Sequence, residues 1–202
     1  MATVYPFRAL RPRADIAGKL ASVPYDVVNR EEARALAKGN PLSFLHVTKP
    51  EIDLPDEIDP HDDAVYAQGK KALGTMLAEG VLTQEKRPCF YAYALTMNGH
   101  TQTGVVLGAS VDEYDRNIVR KHEHTRPDKE NDRVRHIETT AAQTGTVFLV
   151  HKRSDPVARV LAEQASVVRS VNAELRLSSD GAPEIAVIAA EINALAGAYG
   201  SL

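Results

Sequence analysis

The spacing of apolar residues along the chain predicts helices mixed with short strands. Apolar positions recur at helical spacing from about residue 63 to 79, before Gly80, and again from about 128 to 143. Strand-like runs are predicted at "TVYPFRAL", "LSFLHVT" and "TVFLV". The runs "CFYAYALTM" and "TQTGVVLGASV" flank Asn98-Gly99, a dipeptide typical of tight hairpin turns. Together these patterns predict an α+β fold with a mixed sheet, a β-hairpin and four to five helices.

Residues that commonly begin and end helices mark several boundaries. Asn29, with Glu32 three positions later, predicts a capped helix that ends near Gly39. Ser154-Asp155-Pro156 predicts the start of another helix, which runs to about Ala165.

Less regular segments complete the prediction. Residues 51–63 carry seven acidic residues and no lysine or arginine, which predicts a loop. Two short strands are predicted in "SVVRSVNAELRL", and a last helix is predicted from about Pro183. We expect residues 1–150 to form the main α+β region and residues 151–202 to continue the same domain.

Composition and charge narrow the class of protein. With 202 residues, 44% hydrophobic and 25% charged, the chain has a globular composition. Its net charge of −3 at pH 7 disfavours nucleic acid and anionic membranes as general partners, since both attract basic proteins. No apolar run approaches the length of a membrane span. The single cysteine, Cys89, lies in an apolar run and is predicted to be a buried core residue. We expect a cytoplasmic protein.

The densest polar stretch spans residues 118–136, "IVRKHEHTRPDKENDRVRH". Its first half is predicted to be extended, so that side chains alternate between two sides. His122 and His124 then share one side, and Glu123 and Thr125 share the other. A carboxylate in this position is a candidate general base for a substrate hydroxyl.

The second half of this stretch is predicted to be a helix with a basic face. Lys129, Arg133 and His136 lie at spacings of four and three, which places them on one side of the helix. Cationic groups near a helix start favour phosphate, because the free N–H groups and the helix dipole already attract an anion there. The apolar stripe of the same helix is predicted to be Val134, Ile137 and Ala141.

Two other interpretations of this stretch remain open. Ordinary surface ion pairs with Asp128, Glu130 and Asp132 also explain the charges, and such pairs contribute little to stability. Alternatively, the histidines indicate a metal site, whose candidate ligands are His122, His124 and His136, with Glu123 as an added candidate.

Further candidates are single residues near prolines. Tyr25 and Asp26 in "VPYDVV" have a loop-like setting, and Glu51 follows Pro50. The sequence contains no GxxxxGK phosphate loop, no GxSxG, no HExxH and no paired CxxC.

Four sequence blocks resemble a known family. "YPFRALRP", "VPYDVV", "NPLSFLHVTKPE" and "RKHEHTRPDKENDR" occur in the order and approximate spacing of the family catalogued as domain of unknown function 1015. That family is similar to the ParB/sulfiredoxin-like superfamily, which includes a free-serine kinase, sulfiredoxin and nucleotide-binding partition proteins. The resemblance covers about the first 150 residues well. It implies a compact α+β fold that binds nucleotide phosphates at a loop and a helix N-terminus.

The resemblance also indicates candidate site residues and predicts that the chain belongs to a longer protein. Members of the family usually carry an Asp-Gly-His-His-Arg block soon after a region like "EINALAGAYGSL". We therefore expect this chain to be the N-terminal part of such a protein, with an incomplete site. The matching positions are Arg8, Pro24, Tyr25, Asp26, Glu51, His122, Glu123, Thr125, Lys129, Asp132 and Arg133.

The resulting hypothesis is a nucleotide-dependent phosphotransferase that acts on a small hydroxyl substrate, with ATP or ADP and Mg²⁺ as cofactors and a homodimer as the expected assembly. Glu123, Asp26 and His122 are the candidate catalytic residues, and Tyr25 and Glu51 the candidate substrate contacts. The candidate phosphate ligands are Arg8, His124, Thr125, Arg126, Lys129 and Arg133. Two alternatives are a non-catalytic nucleotide- or nucleic-acid-binding module of the partition-protein type and a metal-dependent hydrolase.

Overall fold

The computed structural model describes residues 2–121, 125–152, 154–165 and 190–191. Within these residues the chain forms helices and small antiparallel sheets, which confirms the predicted α+β class. It divides into two compact units. Residues 12–83 and 124–146 form one, here called the helical unit, and residues 1–11, 84–123 and 147–202 form the other, here called the sheet unit. No helix in the described ranges is both long and apolar enough to cross a membrane.

The helical unit contains five helices and a 3-10 turn. They are α1 (Ala17–Leu20), α2 (Arg30–Ala37), α3 (Leu45–Thr48), the 3-10 turn Pro50–Asp53, α4 (Asp63–Ala78) and α6 (Pro127–Thr140). Helix α4 packs against both α3 and α6. The side chains of Leu45, Val47 and His136 are almost completely buried between these elements.

Local signals set the boundaries of the helices as predicted. The side chain of Asn29 accepts a hydrogen bond from the Glu32 amide, and the side chain of Glu32 accepts one from the Asn29 amide, so the capping box of α2 is complete. Helix α4 is capped by Asp62 and is followed by Gly80, whose φ of 65° suits glycine at a helix end.

The sheet unit is built around the predicted hairpin. Its strands are β1 (Val4–Tyr5), β4 (Tyr91–Met97), β5 (His100–Val106), β6 (Gly108–Ala109) and β7 (Ala190–Glu191), and its helices are α5 (Val111–Asp115) and α7 (Asp155–Ala165). Strand β4 lies between β5 and β7, and β1 pairs with β6. Phe90 and Ala92 form a small core with Val160 and Leu161 of α7. Cys89 is buried, as predicted. Two further strands, β2 (Leu10–Pro12) and β3 (Leu82–Gln84), pair with each other.

Two predicted strands are wrong. "LSFLHVT" contains helix α3, because Phe44 O accepts hydrogen bonds from the amides of Val47 and Thr48. "TVFLV" forms no strand, and Val147 and Phe148 are each 78% exposed, because these residues pair with no strand in the described part of the chain.

Other parts of the prediction are corrected or lie outside the described residues. The acidic segment is not wholly irregular, since Pro50–Asp53 form a 3-10 turn. Arg30 and Arg34 hold its backbone by donating to the carbonyl oxygens of residues 52, 54, 56 and 58. The predicted strands in "SVVRSVNAELRL" fall on undescribed residues, as does most of the predicted last helix. Where that helix is described, at Ala190–Glu191, the chain is a strand.

Candidate functional site

Helix α6 presents a polar face to the interior of the helical unit. It starts at Pro127, where the missing N–H of proline removes no helical hydrogen bond. Its buried residues are His136 and Thr140, whereas Val134 of the predicted apolar stripe is 46% exposed and Ala141 lies beyond the helix with a φ of 53°. The predicted apolar stripe is therefore wrong at Val134 and Ala141, because the buried side of α6 carries His136 and Thr140, and only Ile137 of the stripe is partly buried.

Asp132 is the centre of a polar cluster on α6. Its Oδ1 accepts a hydrogen bond from Tyr66 Oη at 2.8 Å and lies 3.3 Å from His61 Nδ1. Its Oδ2 accepts from Arg133 Nε at 2.9 Å and Nη2 at 2.6 Å. Burial alone would raise the pKa of Asp132, but the hydrogen bonds from Tyr66 and Arg133 outweigh it and hold the pKa below its usual value. We call Asp132, Arg133, Tyr66 and His61 the Asp132 cluster.

Arg133 is also stacked on an aromatic ring from a distant segment. Its guanidinium carbon lies 4.0 Å from the ring centroid of Tyr25. Burial raises the pKa of Tyr25, and the positive charge of Arg133 opposes that effect. Arg133 donates to Asp132 from Nε and Nη2. Its Nη1 donors make no hydrogen bond to any described residue. The guanidinium is thus fixed in orientation with part of its fork unused.

Tyr66 joins the cluster from α4. The guanidinium carbon of Arg135 lies 4.5 Å from its ring centroid, and Arg135 also pairs with Asp63 at the start of α4. Burial and the hydrogen bond to Asp132 raise the pKa of Tyr66 to about 12. Tyr66 therefore donates its hydrogen to Asp132 throughout the physiological range.

His136 is a core residue, which corrects its prediction as part of a basic face. Its Nε2 lies 2.8 Å from Val47 O, and Thr144 Oγ1 lies 3.4 Å from Nδ1. Burial lowers the pKa of His136 and outweighs the hydrogen bond to Val47. A neutral, buried imidazole adds no positive charge to the surface of α6.

Residues 125–130, just before and at the start of α6, are exposed, and two of the three candidate phosphate ligands among them are paired. Thr125 Oγ1 donates to Glu130 at 2.6 Å, and Arg126 makes a two-point contact with Asp128 at 3.2 and 2.8 Å. Lys129 is exposed, with no ion pair to a described residue. Of the ion pairs that formed one interpretation of this stretch, the pair between Arg133 and Asp132 is present at 2.6 Å, whereas Asp128 pairs with Arg126.

The remaining candidates lie in different places. Glu51 is buried in the 3-10 turn, 3.3 Å from Lys49 Nζ, and its charge is close enough to His136 to favour protonation of that ring. Asp26 is exposed beside Tyr25. Arg8 belongs to the sheet unit, where its Nε donates to Glu85 O at 2.7 Å.

Three predicted residues, His122, Glu123 and His124, lie outside the described residues, so their roles remain predictions. Within the described part of the chain, no group of three or more His, Cys, Asp or Glu side chains is placed to hold a metal ion. Of the three histidines proposed as metal ligands, His136 is committed to Val47 O.

Two shallow depressions border α2 and share no residue with the Asp132 cluster. One, of about 410 Å³, is lined by Asn29, Arg30, Glu31 and Asp56. The other, of about 560 Å³, includes Arg34, Lys38, His46 and Asp53 in its lining. Their residues are absent from the sequence-based site.

Tyr66 and His61 are absent from the site predicted from the sequence. Tyr66 lies on the buried side of α4, where its spacing with Val65, Gly69 and Leu73 is that of an ordinary core residue. His61 lies in the acidic segment 51–63, which the sequence predicts only as a loop. A weak signal existed in the pairing of a tyrosine on one helix with Asp132 on another, but it requires knowing that α4 packs on α6.

These features define the chain as an α+β protein with an aspartate-centred polar cluster between two helices. The family model for the "Protein of unknown function (DUF1015)" matches residues 4–194, so the chain belongs to this family. No curated protein and no solved structure matches the chain.

Proposed function

We propose that the chain is a nucleotide-dependent phosphotransferase that acts on a small hydroxyl substrate such as free serine. ATP or ADP would supply the phosphoryl group together with Mg²⁺. The observation that carries the proposal is the contact between Tyr25 and Arg133. These two residues come from separate family motifs, and packing of the helical unit brings them together.

Arg133 has the chemistry and the fixed orientation that phosphate binding needs. A planar guanidinium binds phosphate with two parallel hydrogen bonds, and holding it in place reduces the entropy lost on binding. Asp132 and Tyr25 fix the orientation of the Arg133 guanidinium, and its unused Nη1 donors can bind a phosphate oxygen. Asp132 also opposes anion binding electrostatically, so we expect moderate affinity from Arg133 alone.

The N-terminal turn of α6 would supply further positive charge. Lys129 is exposed there, and the positive end of the helix dipole favours an anion. Arg126 would have to exchange its contact with Asp128 for phosphate, which is feasible because that pair is exposed.

The remaining roles follow from the family motifs alone. Glu123 or Asp26 would orient or deprotonate the hydroxyl, and His122 or His124 would contact phosphate or Mg²⁺. A relationship to the ParB/sulfiredoxin-like superfamily and its free-serine kinases is part of the same proposal, and it rests on the similarity of the DUF1015 family to that superfamily.

Titration calorimetry with ATP, ADP and phosphoserine tests this function. A charged hydrogen-bond contact contributes about 1.5–3 kcal/mol, so Arg133→Gln should weaken binding roughly 10- to 150-fold. The control is Arg13→Gln, because Arg13 also donates from Nε and Nη2 to an aspartate, Asp15, at an exposed place in the same unit. Circular dichroism checks that both variants are folded. Absence of binding by the wild-type protein at millimolar ligand, or equal weakening in both variants, would refute the proposal.

A further inference from the structure

We propose that His61 is the proton acceptor of this site and that Asp132 positions it. The inference rests on the proposed function, because it assigns one step of the phosphoryl transfer. His61 lies in the turn that precedes α4, outside the four family-like sequence blocks. It would take the role of base for which the motifs indicate Glu123 or Asp26.

The atoms around Nδ1 decide which ring nitrogen carries the hydrogen. Nδ1 of His61 faces Asp132 Oδ1 at 3.3 Å and Tyr66 Oη at 3.4 Å. The Tyr66 hydroxyl donates its hydrogen to Asp132, at the shorter distance of 2.8 Å. Both atoms that face Nδ1 therefore present lone pairs, and Nδ1 must be the donor. In the neutral ring the free lone pair then lies on Nε2.

The Nε2 atom is available to a substrate. The side chain of His61 is 52% exposed, and Nε2 makes no hydrogen bond to a described residue. The backbone that carries it is fixed, since the His61 amide donates to Asp59 at 2.7 Å and its carbonyl accepts from Arg135 at 2.9 Å. An oriented imidazole with one open nitrogen is the arrangement that general-base catalysis uses.

A second histidine–aspartate pair in the same unit lacks this property. His46 Nδ1 lies 2.9 Å from both carboxylate oxygens of Asp53, but its Nε2 lies 3.1 Å from Asn40 O. Both nitrogens are occupied, and the side chain is 19% exposed. His46 therefore supplies a matched control with the same two residue types.

His61 would accept a proton while the phosphoryl group moves from the nucleotide to the substrate hydroxyl. The substrate hydroxyl oxygen forms a bond to the terminal phosphorus of the nucleotide, and the bond from that phosphorus to its bridging oxygen breaks. The electron pair of the broken bond leaves with the shortened nucleotide. The hydroxyl proton moves to Nε2 of His61, and the charge of Asp132 stabilises the resulting imidazolium. Arg133, on the other oxygen of Asp132, would compensate the phosphate charge.

Long-range ¹H–¹⁵N NMR of the full chain tests the geometry without any substrate. We expect the neutral His61 ring to carry its hydrogen on Nδ1, and Asp132→Asn to weaken that preference. A neutral His61 with the hydrogen on Nε2 in the wild-type protein would overturn the proposal.

Phosphoserine formation from ATP or ADP, serine and Mg²⁺ tests the role in the reaction. His61→Asn should lower the turnover rate by roughly 10²- to 10⁴-fold while the Kd for nucleotide stays the same. His46→Asn should leave the rate unchanged. A wild-type protein that transfers phosphoryl groups, with His61→Asn equally fast, would overturn the role of His61 but not the proposed function. A wild-type protein that does not bind nucleotide would refute the proposed function, and with it the step assigned to His61.

Discussion

Two glycines on α4 give a sharp test of how closely the helices of this unit pack. A Cβ atom at Gly69 would lie 3.0 Å from Pro50 Cγ, 3.1 Å from Val47 O and 3.6 Å from His136 Nε2, whereas one at Gly74 would meet no atom within 4 Å. Replacing glycine by alanine inside a helix stabilises the folded protein by about 0.5–1 kcal/mol at either position. At Gly69 the added methyl group also overfills a packed contact, which typically costs about 1–3 kcal/mol.

The two effects predict opposite outcomes on one helix. Gly74→Ala should raise the free energy of unfolding by about 0.5–1 kcal/mol. The free energy of unfolding of Gly69→Ala should be about 1–3 kcal/mol lower than that of Gly74→Ala. Both variants gain the same helix propensity, so the difference measures the steric cost of the added methyl group at Gly69. Urea denaturation followed by far-UV circular dichroism measures both values. If Gly69→Ala proved as stabilising as Gly74→Ala, the close approach of α4 to Val47 and Pro50 would be wrong.

Three further predictions concern a helix cap and two titrating residues. Asn29→Ala should lower the free energy of unfolding by about 0.5–2 kcal/mol, because it removes the cap of α2; no loss in urea denaturation would contradict the capping box. Burial lowers the pKa of His136, so the unfolded chain takes up a proton first as the pH falls below about 6.5, and stability should decrease there. His136→Gln, which can still donate to Val47 O, should flatten that part of the stability curve, and an unchanged slope would count against the buried neutral ring. In a phenolate absorbance titration, Tyr66→Phe should remove an ionisation near pH 12, and its persistence would show that another tyrosine is responsible.

Elements set by neighbouring residues could be predicted from the sequence. The hairpin turn follows from Asn98-Gly99, whose φ values of 51° and 75° are tolerated by asparagine and glycine. The start of α2 follows from Asn29 and Glu32, because both hydrogen bonds of the capping box lie within one turn. In each case the decisive contacts are local.

Elements set by distant contacts could not be predicted in this way. In "LSFLHVT" the buried residues Ser43, Leu45 and Val47 alternate as in a strand, yet Leu45–Thr48 form a helix. The alternation arises because neighbouring helices bury α3 from more than one side. A run such as "TVFLV" has the composition of a strand, but a strand forms only where another edge accepts its hydrogen bonds.

In the candidate site, too, some residues could be identified from local sequence motifs, whereas others depend on contacts between distant segments. Tyr25 and Arg133 were selected because each belongs to a recognisable motif. Tyr66 and His61 come into contact with Asp132 only because α4 packs on α6. His136 looked like a ligand from its spacing, but its environment is set by Val47, 89 residues away along the chain.

The buried polar face of α6 gives a physical reason to look for function at Asp132. A carboxylate and a guanidinium that are mostly withdrawn from water stabilise a fold weakly, and well-packed apolar residues often do so better. The side chains of Asp132 and Arg133 are 13% and 27% exposed. The pair therefore loses much of its hydration although it is not fully enclosed in the core. An oriented carboxylate that holds one arginine and one histidine, each with donors or a lone pair unused, has chemistry beyond structural support. The His61→Asn and His46→Asn comparison separates that chemistry from stability, because both variants leave the Asp132–Arg133 pair in place.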